Sequence, residues 1–183
     1  MSGVAVVVPI RSFRAGKARL ASVLVETERA ALSHAMAGRV LDAAAPLPVY
    51  VVTSDDEVIA FGADRGAKVV ADPGSLNAAA AAGRAVVLAD GFSQVIVAHA
   101  DLARPEPFAW VANFDGVTIV PDRHGGGTNV MALPAGAPFE FAYGAGSRTR
   151  HEREARRRGL PLRVVDDASL AWDVDEPGDL DWG

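Results

Sequence analysis

Val4–Pro9 reads VAVVVP, an apolar run without polar alternation. Such a strand is buried on both faces, which requires a sheet covered by helices on either side. Outward from it the same grammar repeats. Glu26–Ala45 has helical composition, Val49–Thr53 is strand-like, and Asp56–Arg65 is again helical. Ala67–Ala71, Gln94–Ala98, Val117–Pro121, Asn129–Leu133 and Leu162–Val165 read as further strands. Helices are expected over Ser75–Ala89, around Pro105–Ala112 and over Arg148–Arg158. Strands alternating with helices at this spacing form βαβ units, with right-handed crossovers and a mostly parallel sheet. The expected fold class is therefore a three-layer α/β/α domain, one unit over residues 1–183, with no linker or repeat.

Composition narrows the chemistry. The 183 residues contain no cysteine, which removes thiolate nucleophiles, cysteine-bound zinc and iron–sulfur clusters. A net charge of −5 argues against a nucleic-acid partner held by a basic surface. Alanine supplies 35 residues, and no apolar run reaches the roughly 18 needed to span a membrane. The opening MSGVAVVVPIRS lacks a basic segment before its apolar run, so a cytoplasmic protein without a signal peptide is expected. Alanine-rich helix faces can pack within the chain or against a second copy, which leaves a homodimer open.

In sheets of this kind ligands bind beyond the carboxyl ends of the strands, so the loops there carry the candidates. PIRSFRAGKARLA places Arg11, Arg14, Lys17 and Arg19 after the first strand. It matches neither a P-loop nor GxGxxG, and is either a solvated basic loop or a cationic wrap for a triphosphate. Lys17 stands out because the basic residues are 16 arginines and only two lysines. VIVAHADL puts Asp101 at the lip of a buried strand, as a helix cap or a magnesium ligand. WDVDEPGDL supplies Asp173 and Asp175, which share a face if the segment is extended, with Val174 on the other. Such a pair repels itself unless a cation intervenes; the alternative is a polar turn, since Asp179 and Asp181 are acidic too.

PDRHGGGTNVMAL opens a strand with Gly125–Gly127, either a mobile turn or a close backbone approach to an anion or base, and Thr128 and Asn129 follow. FAYGAGSRTRH brings Gly144 and Gly146 to a helix start at which Ser147 suits the N-cap and Arg148 the first turn. DPGSLNAAA sets Gly74 and Asn77 at another helix start, as a plain cap or a base-reading edge. The four histidines show no metal-ligand spacing, and no Ser/His/Asp set is apparent.

Taken in order, PIRSFRAGKARL, DPGSLNAA, AHADL, DRHGGGTN, FAYGAGSRTRH and WDVDEPGDL resemble the guanylyltransferases of deazaflavin coenzyme F-420 biosynthesis over Val4 to Leu180. The resemblance implies a nucleotide-diphospho-sugar-transferase-like, Rossmann-like fold. It implies a reaction in which a small phosphorylated carboxylic acid attacks the α-phosphate of GTP and releases pyrophosphate. Phosphoenolpyruvate is the first expectation for that acid, 2-phospho-L-lactate the second and 3-phospho-D-glycerate the third. By the same resemblance Asp101, Asp173 and Asp175 would hold Mg²⁺, with Lys17 and Asp101 catalytic. Thr128, Gly144 and Ser147 would hold the acid, together with Arg148. Arg11 and Lys17 would hold the triphosphate, with Gly74 and Asn77 near the guanosine. The sequence departs from the family pattern at Ala18, Ser75 and Ala103–Arg104. More distant readings are another nucleotidyltransferase or a non-catalytic nucleotide-binding protein.

Overall fold

A computed structural model describes residues 3–181. Its seven strands are β1 (Val4–Pro9), β2 (Val49–Thr53), β3 (Lys68–Ala71), β4 (Gln94–Ala98), β5 (Val117–Val120), β6 (Val130–Pro134) and β7 (Leu162–Val164). They form one sheet in the order β3-β2-β1-β4-β6-β5-β7. Helices α1 (Glu26–Ala44), α2 (Asp56–Asp64), α3 (Leu76–Ala89), α4 (Ser147–Arg157) and the short α5 (Ala168–Ala171) cover it. The α/β expectation holds.

The VAVVVP run explains itself through its two faces. Val6 and Val8 pack with Ala37 and Val40 of α1 and Val58 and Phe61 of α2 in one apolar layer. Ala5 and Val7 point the other way, into a layer with Ala79, Ala80 and Val87 of α3 and Ala155 of α4. All four β1 side chains are fully buried, so polar alternation would cost the desolvation of every second residue. Helix α3 sits close to this strand because Gly83 faces it. A Cβ at Gly83 would overlap Val7 Cγ1 and come within 3.1 Å of Val52 Cγ2. A Gly83→Ala protein is therefore expected to lose about 1–3 kcal/mol in urea unfolding despite alanine's better helix propensity. An unchanged midpoint would show that α3 can retreat freely.

Two segments differ from the sequence expectation. Helix is absent over residues 105–108, and only a 3-10 turn forms at Ala109–Ala112. Pro105 and Pro107 remove donors and bias their preceding residues away from helix. Strand β6 runs antiparallel to both β4 and β5. Its connection from β5, residues 121–129, is too short for a crossover helix. Among the described residues, no helix is long and apolar enough to cross a membrane.

This topology gathers the functional loops. Strands β1 and β4 are parallel neighbours, so the loops after Pro9 and Ala98 leave from one edge. Because β6 is antiparallel, the Gly-rich turn that precedes it lies at the same edge, with the His99 N–H donating to the Asn129 carbonyl at 2.9 Å.

Candidate active site

At that edge lies a cleft of about 710 Å³, within the size range of small-molecule sites. Arg11, Lys17, Asp101, Thr128, Gly144, Ser147, Asp173 and Asp175 all line it. Loops separated by more than 150 residues in sequence meet there.

The acidic side is built on a backbone pairing. Leu102 and Asp173 form an isolated antiparallel bridge, in which the Ala103 N–H donates to Trp172 O and the Val174 N–H to Asp101 O. The segment is thus extended, and Val174 is fully buried while Asp173 and Asp175 face the cleft. Val174 packs with Leu20, Met36 and Ala103, an apolar plug joining the first loop to both acidic loops. Asp101 caps no helix; the chain after it is irregular.

Lys17 reaches this set from a backbone conformation that side chains rarely adopt, with φ at 60°. Such strain persists only where surrounding contacts fix it, and here the side chain supplies them. Its Nζ donates to Asp101 Oδ2 at 2.6 Å and to Asp175 Oδ1 at 2.9 Å. Burial alone would lower the lysine pKa, but the two carboxylates raise it above its ordinary value. Burial likewise pushes the Asp101 carboxyl up, and the positive charge and hydrogen bond of Lys17, with a contribution from nearby His99, bring it below the usual range. Asp173 is the uncompensated member. Burial raises its pKa, the Asn129 hydrogen bond opposes, and the Asp101 and Asp175 charges push it further up.

Among the described residues no three acidic or histidine side chains form a ready metal cage, and the Lys17 ammonium lies between Asp101 and Asp175 instead. The donor set nevertheless fits a hard cation that is completed by substrate phosphates. Asp101 Oδ1 is a buried oxygen without a hydrogen-bond partner, and Asp173 is held near two like charges.

Supporting residues extend beyond those the sequence singled out. Asn129 Nδ2 divides its donors among Leu170 O, Ala171 O and, at 3.2 Å, Asp173 Oδ1. Asp179, dismissed as one acid among several by composition, is buried. Its Oδ2 accepts from the Asp175 and Glu176 N–H groups at 2.8 and 2.7 Å, and its Oδ1 pairs with Arg123. That clamp fixes the turn that aims Asp175. Its sequence signal is an acid three residues after Glu176 at a Pro-Gly helix start, the spacing of a capping box.

Further lining comes from the Gly-rich turn and the start of α4. Asp122 accepts from the Gly126 and Gly127 N–H groups at 3.0 and 2.9 Å, so the turn is closed by its own carboxylate rather than left mobile. A Cβ at Gly127 would meet Asp122 Oδ2 at 2.5 Å, which makes glycine necessary there. Gly146, not Ser147, occupies the cap of α4; Ser147 is the first helical residue, buried and facing the cleft.

Three expected contacts lie elsewhere. Arg148 does not line the cleft: its guanidinium is held by Glu152 at 2.9 Å and by the Gly125 carbonyl, so it braces the Gly-rich turn. Asn77 Oδ1 accepts from the Tyr143 N–H at 2.6 Å, and the Gly74 N–H donates to Asp72. Neither lines the cleft, although their neighbour Leu76 does.

His151, unassigned by its sequence spacing, is fully buried beneath Thr128. Burial, helped by Arg150 and His99, pushes its pKa down from 6.5 to about 4, so the ring is neutral. The unfolded chain takes up a proton near 6.5 and the folded chain only near 4. The native state is therefore free of this penalty above pH 6.5 and loses stability as pH falls through that window. The residue should remove about 2 kcal/mol between pH 7 and pH 5. Urea midpoints at both pH values should show a smaller loss in His151→Gln than in the native chain; equal losses would assign the effect elsewhere.

With this geometry in place, comparison with known proteins is informative. A family model described as guanylyl transferase CofC like matches residues 4–182. A phosphoenolpyruvate guanylyltransferase of Sphaerobacter thermophilus is 38% identical, over 96% of this chain and 89% of its own. A 2-phospho-L-lactate guanylyltransferase of Halorubrum lacusprofundi is 40% identical, over 96% and 81% respectively. A 3-phospho-D-glycerate guanylyltransferase of Phenylobacterium zucineum is 34% identical, over 94% and 86%. Among solved structures, a nucleotidyl transferase from Methanothermobacter superposes with a TM-score of 0.68 at 17% identity, over 97% of this chain and 94% of its own, and at that identity bears on the fold alone. The buried strand run, the loops gathered at one sheet edge and the match along nearly the whole chain agree, and the chain belongs to the guanylyl transferase CofC-like family.

Proposed function

We propose that this chain joins the GMP unit of GTP to the phosphate of a small phosphorylated carboxylic acid, phosphoenolpyruvate first, as a step of coenzyme F-420 biosynthesis in the cytoplasm. One observation carries the reading. A single cleft is lined by Lys17 and three aspartates and also by Thr128, Gly144 and Ser147. A cationic and acidic set suits a nucleoside triphosphate with its cation, and a small polar set suits a compact anion.

In the reaction, an oxygen of the acid's phosphate forms a bond to the α-phosphorus of GTP. The bond from that phosphorus to the bridging oxygen breaks, and pyrophosphate leaves with the electron pair. The attacking phosphate is ionised near neutral pH, so the protein need not remove a proton and acts by positioning and charge neutralisation. Lys17 and Arg11 place cationic charge on the triphosphate, and the strained Lys17 backbone fixes the reach of that charge. Thr128, Gly144 and Ser147 hold the acid. Asp101, Asp173 and Asp175 would hold Mg²⁺, which when bound neutralises phosphate charge and orients both substrates. Asn129 and Asp179 keep those carboxylates aimed.

The names of the relatives divide among three acids, and phosphoenolpyruvate is placed first because relatives named for it recur among the similar bacterial proteins, that of Sphaerobacter thermophilus included. The test is kcat/KM with GTP, Mg²⁺ and each acid in turn, following pyrophosphate and the GDP-linked product, with ATP and CTP in parallel. Phosphoenolpyruvate and GTP should give the highest value. A tenfold preference for either other acid overturns the substrate assignment, and a preference for ATP or CTP overturns the guanine assignment.

A further inference from the structure

The α4 helix places His151 one turn after Ser147, on the face turned towards the cleft wall. Its Nε2 lies 2.9 Å from the Ala142 backbone nitrogen and its Nδ1 lies 3.1 Å from Thr128 Oγ1. A backbone N–H can only donate, so Nε2 accepts and carries no proton. The ring is neutral, so its single proton is on Nδ1 and is donated to Thr128 Oγ1. The Thr128 hydroxyl hydrogen cannot then turn back towards the ring. It is free for an acceptor in the cleft that Thr128 lines. The Ala142 end of the same ring holds the segment leading to Gly144, and Arg150 reinforces it by donating to the Ala142, Tyr143 and Ala145 carbonyls. Phe139 and Tyr143 pack against the imidazole, with ring centroids at 5.8 and 4.8 Å, and restrict its tilt.

We propose that His151 is a positioning residue for the phosphorylated acid: through Nδ1–H it makes the Thr128 hydroxyl a dedicated donor to an anionic oxygen, and through Nε2 it sets the segment leading to Gly144. This rests on the assignment of Thr128 and Gly144 to the acid given above. It separates two functions along one ring, and two substitutions separate them experimentally. In His151→Gln the amide oxygen reaches the Nε2 position and can keep the Ala142 bond, while Thr128 loses its donor. In His151→Asn the amide nitrogen takes the Nδ1 position and can keep donating to Thr128.

Steady-state pyrophosphate release should show a KM for the acid raised about tenfold in His151→Gln and in Thr128→Val, with the KM for GTP within about twofold of native. The double variant should be no worse than either single one, and His151→Asn should recover most of the loss. An unchanged acid KM in His151→Gln, or equal rises for both substrates, overturns the proposal. Long-range ¹H–¹⁵N spectra of the native chain give a readout independent of turnover. A proton on Nδ1 is expected, and a proton on Nε2 overturns this inference alone. Absence of turnover by the native chain with every acid would instead remove the functional reading, and with it the proposed role of the ring in acid binding.

Discussion

Asp173→Asn is expected to release pyrophosphate at least about 10²–10³-fold more slowly than the native chain while folding as well or better. The two directions follow from one environment. The Asp173 carboxyl is pushed above its ordinary pKa first by burial and then by the Asp101 and Asp175 charges, so in the folded state its negative charge is unwelcome. Asparagine keeps the shape and an oxygen for the Asn129 amide, which lies 3.2 Å from Oδ1, and deletes the charge. Repulsion falls, so the thermal midpoint should hold or rise. On the proposed function activity falls because that charge, tolerated at a cost to stability, is what would hold the cation between protein and phosphates. Thermal unfolding and pyrophosphate release measured on one preparation check both signs. Near-native turnover in the variant would remove Asp173 from the site.

Lys17→Met carries the second large effect, with activity and stability falling together. The lysine side chain is only 8% exposed and bridges Asp101 and Asp175. Its loss leaves two neighbouring carboxylates without their counter-charge, and with Asp175 half exposed the cost is about 1–3 kcal/mol. The same ammonium is the proposed partner of the triphosphate, so kcat/KM for GTP should fall about 10²-fold or more. Arginine is not a rescue, because its planar fork cannot reproduce one compact charge between two carboxylates. Urea unfolding with GTP kinetics tests the pair; a stable variant with native GTP kinetics would make the bridge incidental.

The fold was legible where burial is two-sided. VAVVVP, and QVIVA after its partly exposed Gln94, have no polar position to spare because both faces of β1 and β4 are covered, and their boundaries agree with expectation. The antiparallel β6 was hidden in composition, yet the length of residues 121–129 already excluded a crossover helix. The acidic pair was legible because a buried Val174 between two aspartates is the mark of an extended segment. Residues that act on other residues were not. His151 holds Thr128, 23 residues away, and no local spacing announces that partner, whereas Asp179 and Asp122 hold N–H groups three to five residues off, a local spacing that composition alone does not single out. Arg148 shows the opposite case. Its place in the first turn suited an anion, but Glu152 one turn on is a nearer acceptor. Asn77 was likewise taken up by the Tyr143 N–H, a contact 66 residues away in sequence.

The central claim is that one cleft brings GTP and a phosphorylated acid together for a single transfer. Its most direct test is the stoichiometry of pyrophosphate release by the purified chain with GTP and Mg²⁺, with and without phosphoenolpyruvate, 2-phospho-L-lactate or 3-phospho-D-glycerate. The account predicts release only when an acid is present, with one GDP-linked product formed for each pyrophosphate. Release that is independent of the acid, or none with any of the three, would contradict it.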